Sequence, residues 1–170
     1  MILKKPQSTS EWFVLVVGSA FGLGLLPIAP GSFGALLGIM LHALIVPLSP
    51  LAPWLTLILL MLAVSVTHYA LARAAAIYWN DSDSGNFVLD EVAGYLLTAA
   101  ILAPWLPTPW IMIEGFLLFR VLDIIKPPPA RQIDEKMHTA TGVLLDDLVS
   151  AVYAGIIILA QYFILGWPAN

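Results

Sequence analysis

The sequence predicts an all-α protein, a polytopic membrane helical bundle of about six helices. Composition is the first reason: 60% of the residues are hydrophobic and 11% are charged, where a soluble domain carries about 25% charged residues. Charge placement is the second. No Asp, Glu, Lys or Arg occurs from Trp12 to Ala72, from Val92 to Ile113, or from Leu148 to Asn170. A helix needs roughly 20 apolar residues to cross the hydrocarbon core, so these gaps hold several spans. The third reason is punctuation, because Pro and Gly stand at every boundary between the apolar runs. No repeat, low-complexity tail or linker divides the chain, which reads as a single domain over 1–170.

The elements follow in order. Ser8, Thr9 and Ser10 are candidate N-caps for a first helix over 11–26, broken by "LPIAPGS". A second helix covers 33–46 and ends at "VPLSPLAP". The third, over 53–79, is the longest and carries Arg73 near its end. The polar loop "NDSDSGN" follows. The fourth helix covers 87–103 and turns at "APWLPTPW". The fifth covers 109–125 and stops at Pro127, Pro128 and Pro129. A short interfacial helix is expected over 130–138, and the sixth long helix over 143–165. The N-terminal stretch "MILKKPQSTSEW" has the charge pattern of a signal peptide without a small-x-small cleavage site, and is expected to stay uncleaved.

Lys and Arg favour the cytoplasmic side of a membrane. All of them fall at the N-terminus (Lys4, Lys5), in the 73–88 region (Arg73) or in the 120–142 region (Arg120, Lys126, Arg131, Lys136). The turns at 47–53 and 104–109 carry only uncharged residues, with Pro and Trp, and suit the far interface. Helices two to six then alternate. The first helix breaks the parity: either it dips into the membrane without crossing, the favoured path, or the N-terminus lies outside. One face thereby gathers the ends of helices three and five, the starts of helices four and six, and the Gly/Pro loop.

Several function classes are excluded. The net charge of −4 offers no basic patch for nucleic acid. Zero cysteines remove disulfides, thiolate metal sites and a cysteine-phosphate mechanism.

Four stretches carry chemistry. "GLGLLPIAPGSFG", from Gly22 to Gly34, is a tight turn entering a helix near Ser32, where backbone N–H groups favour an anion. It has neither the Lys of a phosphate-binding loop nor the preceding strand of a dinucleotide fingerprint, and by itself it reads best as a helix-breaking turn. "LDEVAG" places Asp90 and Glu91 side by side at the start of helix four, with Gly94 one turn on. Dipole capping explains one acid there, but not a pair beside a membrane core. In "FRVLDIIKPPPA" about 100° per residue places Arg120, Asp123 and Lys126 within an arc of roughly 120°. A snorkelling Lys accounts for Lys126, but an intramembrane carboxylate is a functional hypothesis by default. "GVLLDDLVSA" sets Asp146 and Asp147 near the start of helix six, above a stripe of Ser150, Ala151, Ala154 and Gly155 that permits close helix packing.

Five carboxylates (Asp90, Glu91, Asp123, Asp146, Asp147) and two cations thus converge at one face. Such a cluster calls for a bound divalent cation. With oxygen ligands and no thiolate, Mg2+ is expected rather than zinc. Carboxylate-held Mg2+ beside Arg and Lys is apparatus for phosphoryl chemistry. His138, in the 130–142 loop, is a candidate proton donor at the substrate. His42 and His68 fall in apolar helices and read as packed. Glu114 lies on the far half of helix five.

In this order and at these spacings, "GLGLLPIAPGSFG", "DEVAG", "FRVLDIIKPPPA" and "GVLLDD" resemble the phosphatidylglycerophosphatase A family, over Gly22 to Asp147. Where that family commonly has Thr, this chain has Ser32, and both carry a hydroxyl. The resemblance implies a single membrane-embedded phosphatase domain in the bacterial inner membrane, multi-pass, with its site at the cytoplasmic face. It implies Mg2+-dependent removal of the terminal phosphate of phosphatidylglycerophosphate to give phosphatidylglycerol. The site expected from residues and resemblance together uses Asp90, Glu91, Asp123, Asp146 and Asp147 as metal ligands and bases. Gly31, Ser32, Arg120, Lys126 and His138 would meet the substrate. Attack by water and attack by a carboxylate nucleophile both remain open. Two other functions compete: a headgroup phosphotransferase, whose usual D-x2-D-G-x2-A-R pattern is absent, and a small transporter, which would place its charges nearer the midplane.

Overall fold

The computed structural model describes residues 5–166; Lys4, one of the charges used for orientation, lies outside them. The described residues form a helical bundle without a strand. Its α-helices are α1 (Thr9–Phe13), α2 (Pro30–Ile45), α3 (Pro53–Trp79), α4 (Leu89–Leu102), α5 (Thr108–Trp110), α6 (Phe116–Ile125), α7 (Ala130–Lys136) and α8 (Ala140–Leu165). α1 runs on through a π-helical turn, Val14–Gly18, and a second such turn, Ile111–Gly115, joins α5 to α6. α2 with its 3-10 extension to Leu48, α3 and α8 are each long and apolar enough to span a bilayer.

The first helix is shorter than the expected 11–26. It covers Thr9–Gly18, about 15 Å at 1.5 Å per residue, against a hydrocarbon core of about 30 Å. That length fits a segment that dips without crossing. The break comes at Ala20, Phe21 and Gly22, all with positive φ. Ser19 fixes the turn: its hydroxyl donates to the Leu15 carbonyl and accepts from Gly22 N–H. Two of the three left-handed residues are not glycine, so sequence composition hides the stop.

The other boundaries follow local chemistry. Ser8 Oγ caps α1 by accepting from Glu11 N–H at 3.2 Å. Thr139 Oγ1 caps α8 by accepting from Gly142 N–H at 3.2 Å, so α8 begins three residues before the expected 143. α2 also begins earlier than 33, because Pro30 occupies a first-turn position, where its missing N–H is no loss. α3 ends where Asn80 turns left-handed, and α6 where Lys126 does.

α4 occupies the centre. Beyond its acidic first turn it is largely apolar on all sides, and most of its residues are buried, as expected for a helix enclosed by others. α2, α3, α6 and α8 surround it. Tyr95, Leu96, Phe119, Ala151 and Ile158 belong to the core that joins these helices. The outer surface is apolar too: Leu62, Val66, Ile77, Ile124, Ile156 and Ile164 are all exposed. In water such a surface would drive aggregation; against lipid tails it is matched.

Close approach of α4 to its neighbours depends on Gly94. A Cβ there would overlap the Phe119 ring and lie 3.4 Å from the Asp147 carbonyl. Gly94→Ala is therefore expected to cost about 1–3 kcal/mol through overpacking. A thermal melt in detergent should show a lower midpoint; an unchanged midpoint would mean that Phe119 rotates aside freely.

Candidate active site

The acidic pairs meet at one end of the bundle. Asp90 and Glu91 lie in the first turn of α4. Asp146 and Asp147 lie in the second turn of α8, because that helix starts at Ala140. There the dipole of the first turn is a weaker reason for acids than the sequence had implied. One carboxylate oxygen from each of Asp90, Glu91 and Asp147 falls within a cluster no wider than 4.8 Å. Asp90 Oδ1, Glu91 Oε2 and Asp147 Oδ2 are buried without a hydrogen-bond partner. Carboxyl–carboxyl contacts also link Asp90 to Glu91 and Asp123 to Asp147. Two ionised carboxylates in contact need a proton or a cation between them. The clustered carboxylate oxygens of Asp90, Glu91 and Asp147, all hard donors, could hold one divalent cation.

Arg120 and Asp123 occupy one face of α6. Arg120 NH1 lies 2.6 Å from Asp123 Oδ2 and 3.9 Å from Glu91 Oε1, and Arg120 Nε donates to Ser32 Oγ at 3.3 Å. One guanidinium thus ties α6 to α4 and to the first turn of α2, through its several planar donors. The loop before α2 is bent to make this possible. Ala29 adopts φ 49°, a left-handed conformation that costs about 1–2 kcal/mol in a non-glycine residue. Gly31 follows at a point where no side chain fits. A Cβ there would overlap Glu91 Oε1 and come within 2.7 Å of Arg120 NH2.

Lys126 forms a second, adjoining centre. Its Nζ donates to Asp146 Oδ2 at 2.5 Å and to Asp134 Oδ1 at 2.6 Å. Burial alone would disfavour its charge. The hydrogen bonds to Asp134 and Asp146 outweigh that and hold the ammonium above its usual pKa. The other Asp146 oxygen, Oδ1, is buried and unpartnered. Asp146 interacts electrostatically with Asp123 as well as with the lysine, and so stands between Lys126 and the acidic residues.

Asp83 also faces Lys126 and Asp134, from the loop before α4; burial pushes its carboxyl above the usual range, and Lys126 opposes this. His138 is exposed in the turn before α8. Glu114 stands apart in a groove lined by Trp110, Leu117, Val121 and Gln161. His42 Nδ1 is 3.0 Å from the Tyr95 hydroxyl and His68 Nε2 is 3.0 Å from the Ala140 carbonyl, both in buried positions.

Gly31, Ser32, Asp90, Glu91, Arg120, Asp123, Asp146 and Asp147 thus come together, with Lys126 at their edge and His138 farther out. Sequence reasoning passed over Asp134. Its only signal was an acid eight residues beyond Lys126, across a proline turn.

The fold and site define an all-α membrane protein with an acid-rich centre at one end of its bundle. The sequence pattern of the phosphatidylglycerophosphatase A family matches residues 16–162, and the chain belongs to that family. It is 37% identical over 164 residues to phosphatidylglycerophosphatase A of Haemophilus influenzae, covering 96% of both chains. It is 36% identical over 165 residues to the Escherichia coli protein of the same name, covering 95% of this chain and 88% of that one. A putative phosphatidylinositol-3-phosphatase of Bacteroides thetaiotaomicron is 31% identical over 172 residues, with 96% of this chain and 100% of that one covered. No solved structure matches the chain.

Gly31→Ala tests the packing of the site. The added methyl should displace the Glu91 carboxylate or the Arg120 guanidinium. We expect phosphatase activity to fall at least about tenfold, since small misplacements of positioned groups have that effect. Activity equal to the unmodified protein would show that this close approach is not needed.

Proposed function

We propose that this protein hydrolyses the terminal phosphomonoester of phosphatidylglycerophosphate, releasing phosphate and phosphatidylglycerol for phospholipid biosynthesis. We further propose that it depends on Mg2+ and works at the cytoplasmic face of a bacterial inner membrane. The observation that carries the reading is the cluster of Asp90, Glu91 and Asp147, with three buried unpartnered oxygens, beside Arg120.

The donor set suits Mg2+: Asp90, Glu91 and Asp147 offer hard carboxylate oxygens that all lie within 4.8 Å of one another. Asp90, Glu91 and Asp147 would hold the ion, with Asp146 Oδ1 and Asp123 as further donors. Bound there, Mg2+ supplies Lewis acidity to the phosphoryl group and to an attacking water.

The chain's own residues supply the rest. Arg120, fixed by Ser32 and Asp123, presents fixed positive charge to the phosphate oxygens. Lys126, with Asp134 and Asp146 on its ammonium, adds a second charge at the edge. A carboxylate of the cluster takes the proton of water as its oxygen bonds to phosphorus. The phosphorus–glycerol oxygen bond breaks, and the departing oxygen takes up the proton that the carboxylate took from water. The exposed apolar helix faces hold the substrate's chains in the surrounding lipid. The gathering of Arg73, Arg120, Lys126, Arg131 and Lys136 on one side supports the cytoplasmic placement.

The decisive assay is phosphate release from phosphatidylglycerophosphate by the purified protein, with Mg2+ and with EDTA. Release in Mg2+ and its loss in EDTA are expected; no Mg2+-dependent release from any phospholipid monoester would sink the proposal. A phosphatidylinositol 3-phosphate arm separates the substrate suggested by the Bacteroides relative's name. Asp123→Asn keeps the shape and removes the charge that Arg120 contacts. We expect a loss of turnover of at least about a hundredfold with an unchanged circular dichroism spectrum, comparable to removing a catalytic electrostatic partner.

A further inference from the structure

Lys126 is held from two sides. Asp146, on α8, is almost sealed inside the bundle, with 3% of its side chain exposed; Asp134, on α7, is 34% exposed. An ammonium has three N–H donors. Two are used by these carboxylates, and one is left.

The lysine needs such support. Its backbone sits in the left-handed region at φ 49°, between the last turn of α6 and the prolines. Beyond that turn its long side chain is free to rotate, and lysine carries about 2 kcal/mol of rotamer entropy. With Asp146 alone it would have one anchor, on a carboxylate that also borders the cation centre. Asp134 adds a second anchor from the solvent side. α7 is short and packs on α8, which brings Asp134 within reach.

We propose that Asp134 is a positioning residue for the headgroup phosphate. It holds the Lys126 ammonium at the rim of the acidic centre, with its remaining N–H free for a phosphate oxygen. This role rests on the phosphatase reading above. A merely structural ion pair would instead fasten α7 to the end of α6, without bearing on substrate.

Kinetics on phosphatidylglycerophosphate in mixed micelles, at saturating Mg2+, separate the two. Asp134→Asn should raise KM about tenfold and leave kcat within about threefold, the pattern of lost ground-state binding. Asp134→Glu, which keeps the anion, should hold KM within about threefold of the unmodified protein. In a Lys126→Met background, Asp134→Asn should add nothing, because residues acting through one another are not additive. An unchanged KM in Asp134→Asn, a KM for Asp134→Glu as high as that of Asp134→Asn, or the full Asp134 effect in the Lys126→Met background would overturn the assignment. Failure of the phosphatase reading shows differently, as no phosphate release by the unmodified protein, and this role would fall with it.

Discussion

Like charges held together out of water dominate this molecule. Five carboxylates crowd one end of an apolar bundle; oxygens of three of them lie within 4.8 Å of one another, and each of those three residues has a buried oxygen with no hydrogen bond. At an effective dielectric of about 20, two unit charges 4 Å apart interact by about 4 kcal/mol. A whole domain is stable by only about 5–15 kcal/mol. The cluster therefore persists only with compensation, from Arg120, from Lys126 and from a cation or protons shared among the acids. The same uncompensated oxygens are what fit the site to phosphoryl chemistry.

The rest of the bundle serves that cluster. α4 lies at its centre, so Asp90 and Glu91 enter the site from the most enclosed helix. Gly94 brings the Phe119 ring and α8 against it, and Gly31 brings the α2 turn against Glu91 and Arg120. Arg120 then spans three helices with contacts to Ser32, Asp123 and Glu91. Lys126 ties the end of α6 to α7 and α8. The Arg120 and Lys126 links each reach from α6 or its C-terminal end to carboxylate or hydroxyl oxygens on other helices.

Much of this was legible in the sequence, and the exceptions have physical causes. Charge-free runs bounded by proline define long helices well, and α3 occupies the expected Pro53–Trp79. The paired acids and the Arg–Asp–Lys spacing pointed to the residues that the fold brings together. The first helix was overextended because its stop uses left-handed Ala20 and Phe21, which carry no turn signature. α8 starts three residues before the expected 143 because Thr139 caps it, and a lone Thr is a weak boundary signal in sequence. Asp134 was passed over because its partner is eight residues away through a proline turn, a distance that no helical periodicity encodes.

Mn2+ stands in for Mg2+ at oxygen sites and reports its own binding by electron paramagnetic resonance. Titrated into the purified protein without lipid substrate, it should bind saturably, compete with Mg2+, and lose that binding in Asp147→Asn with the fold intact. Absence of saturable binding, or binding undiminished by Asp147→Asn, would contradict the claim that Asp90, Glu91 and Asp147 are held together by one cation.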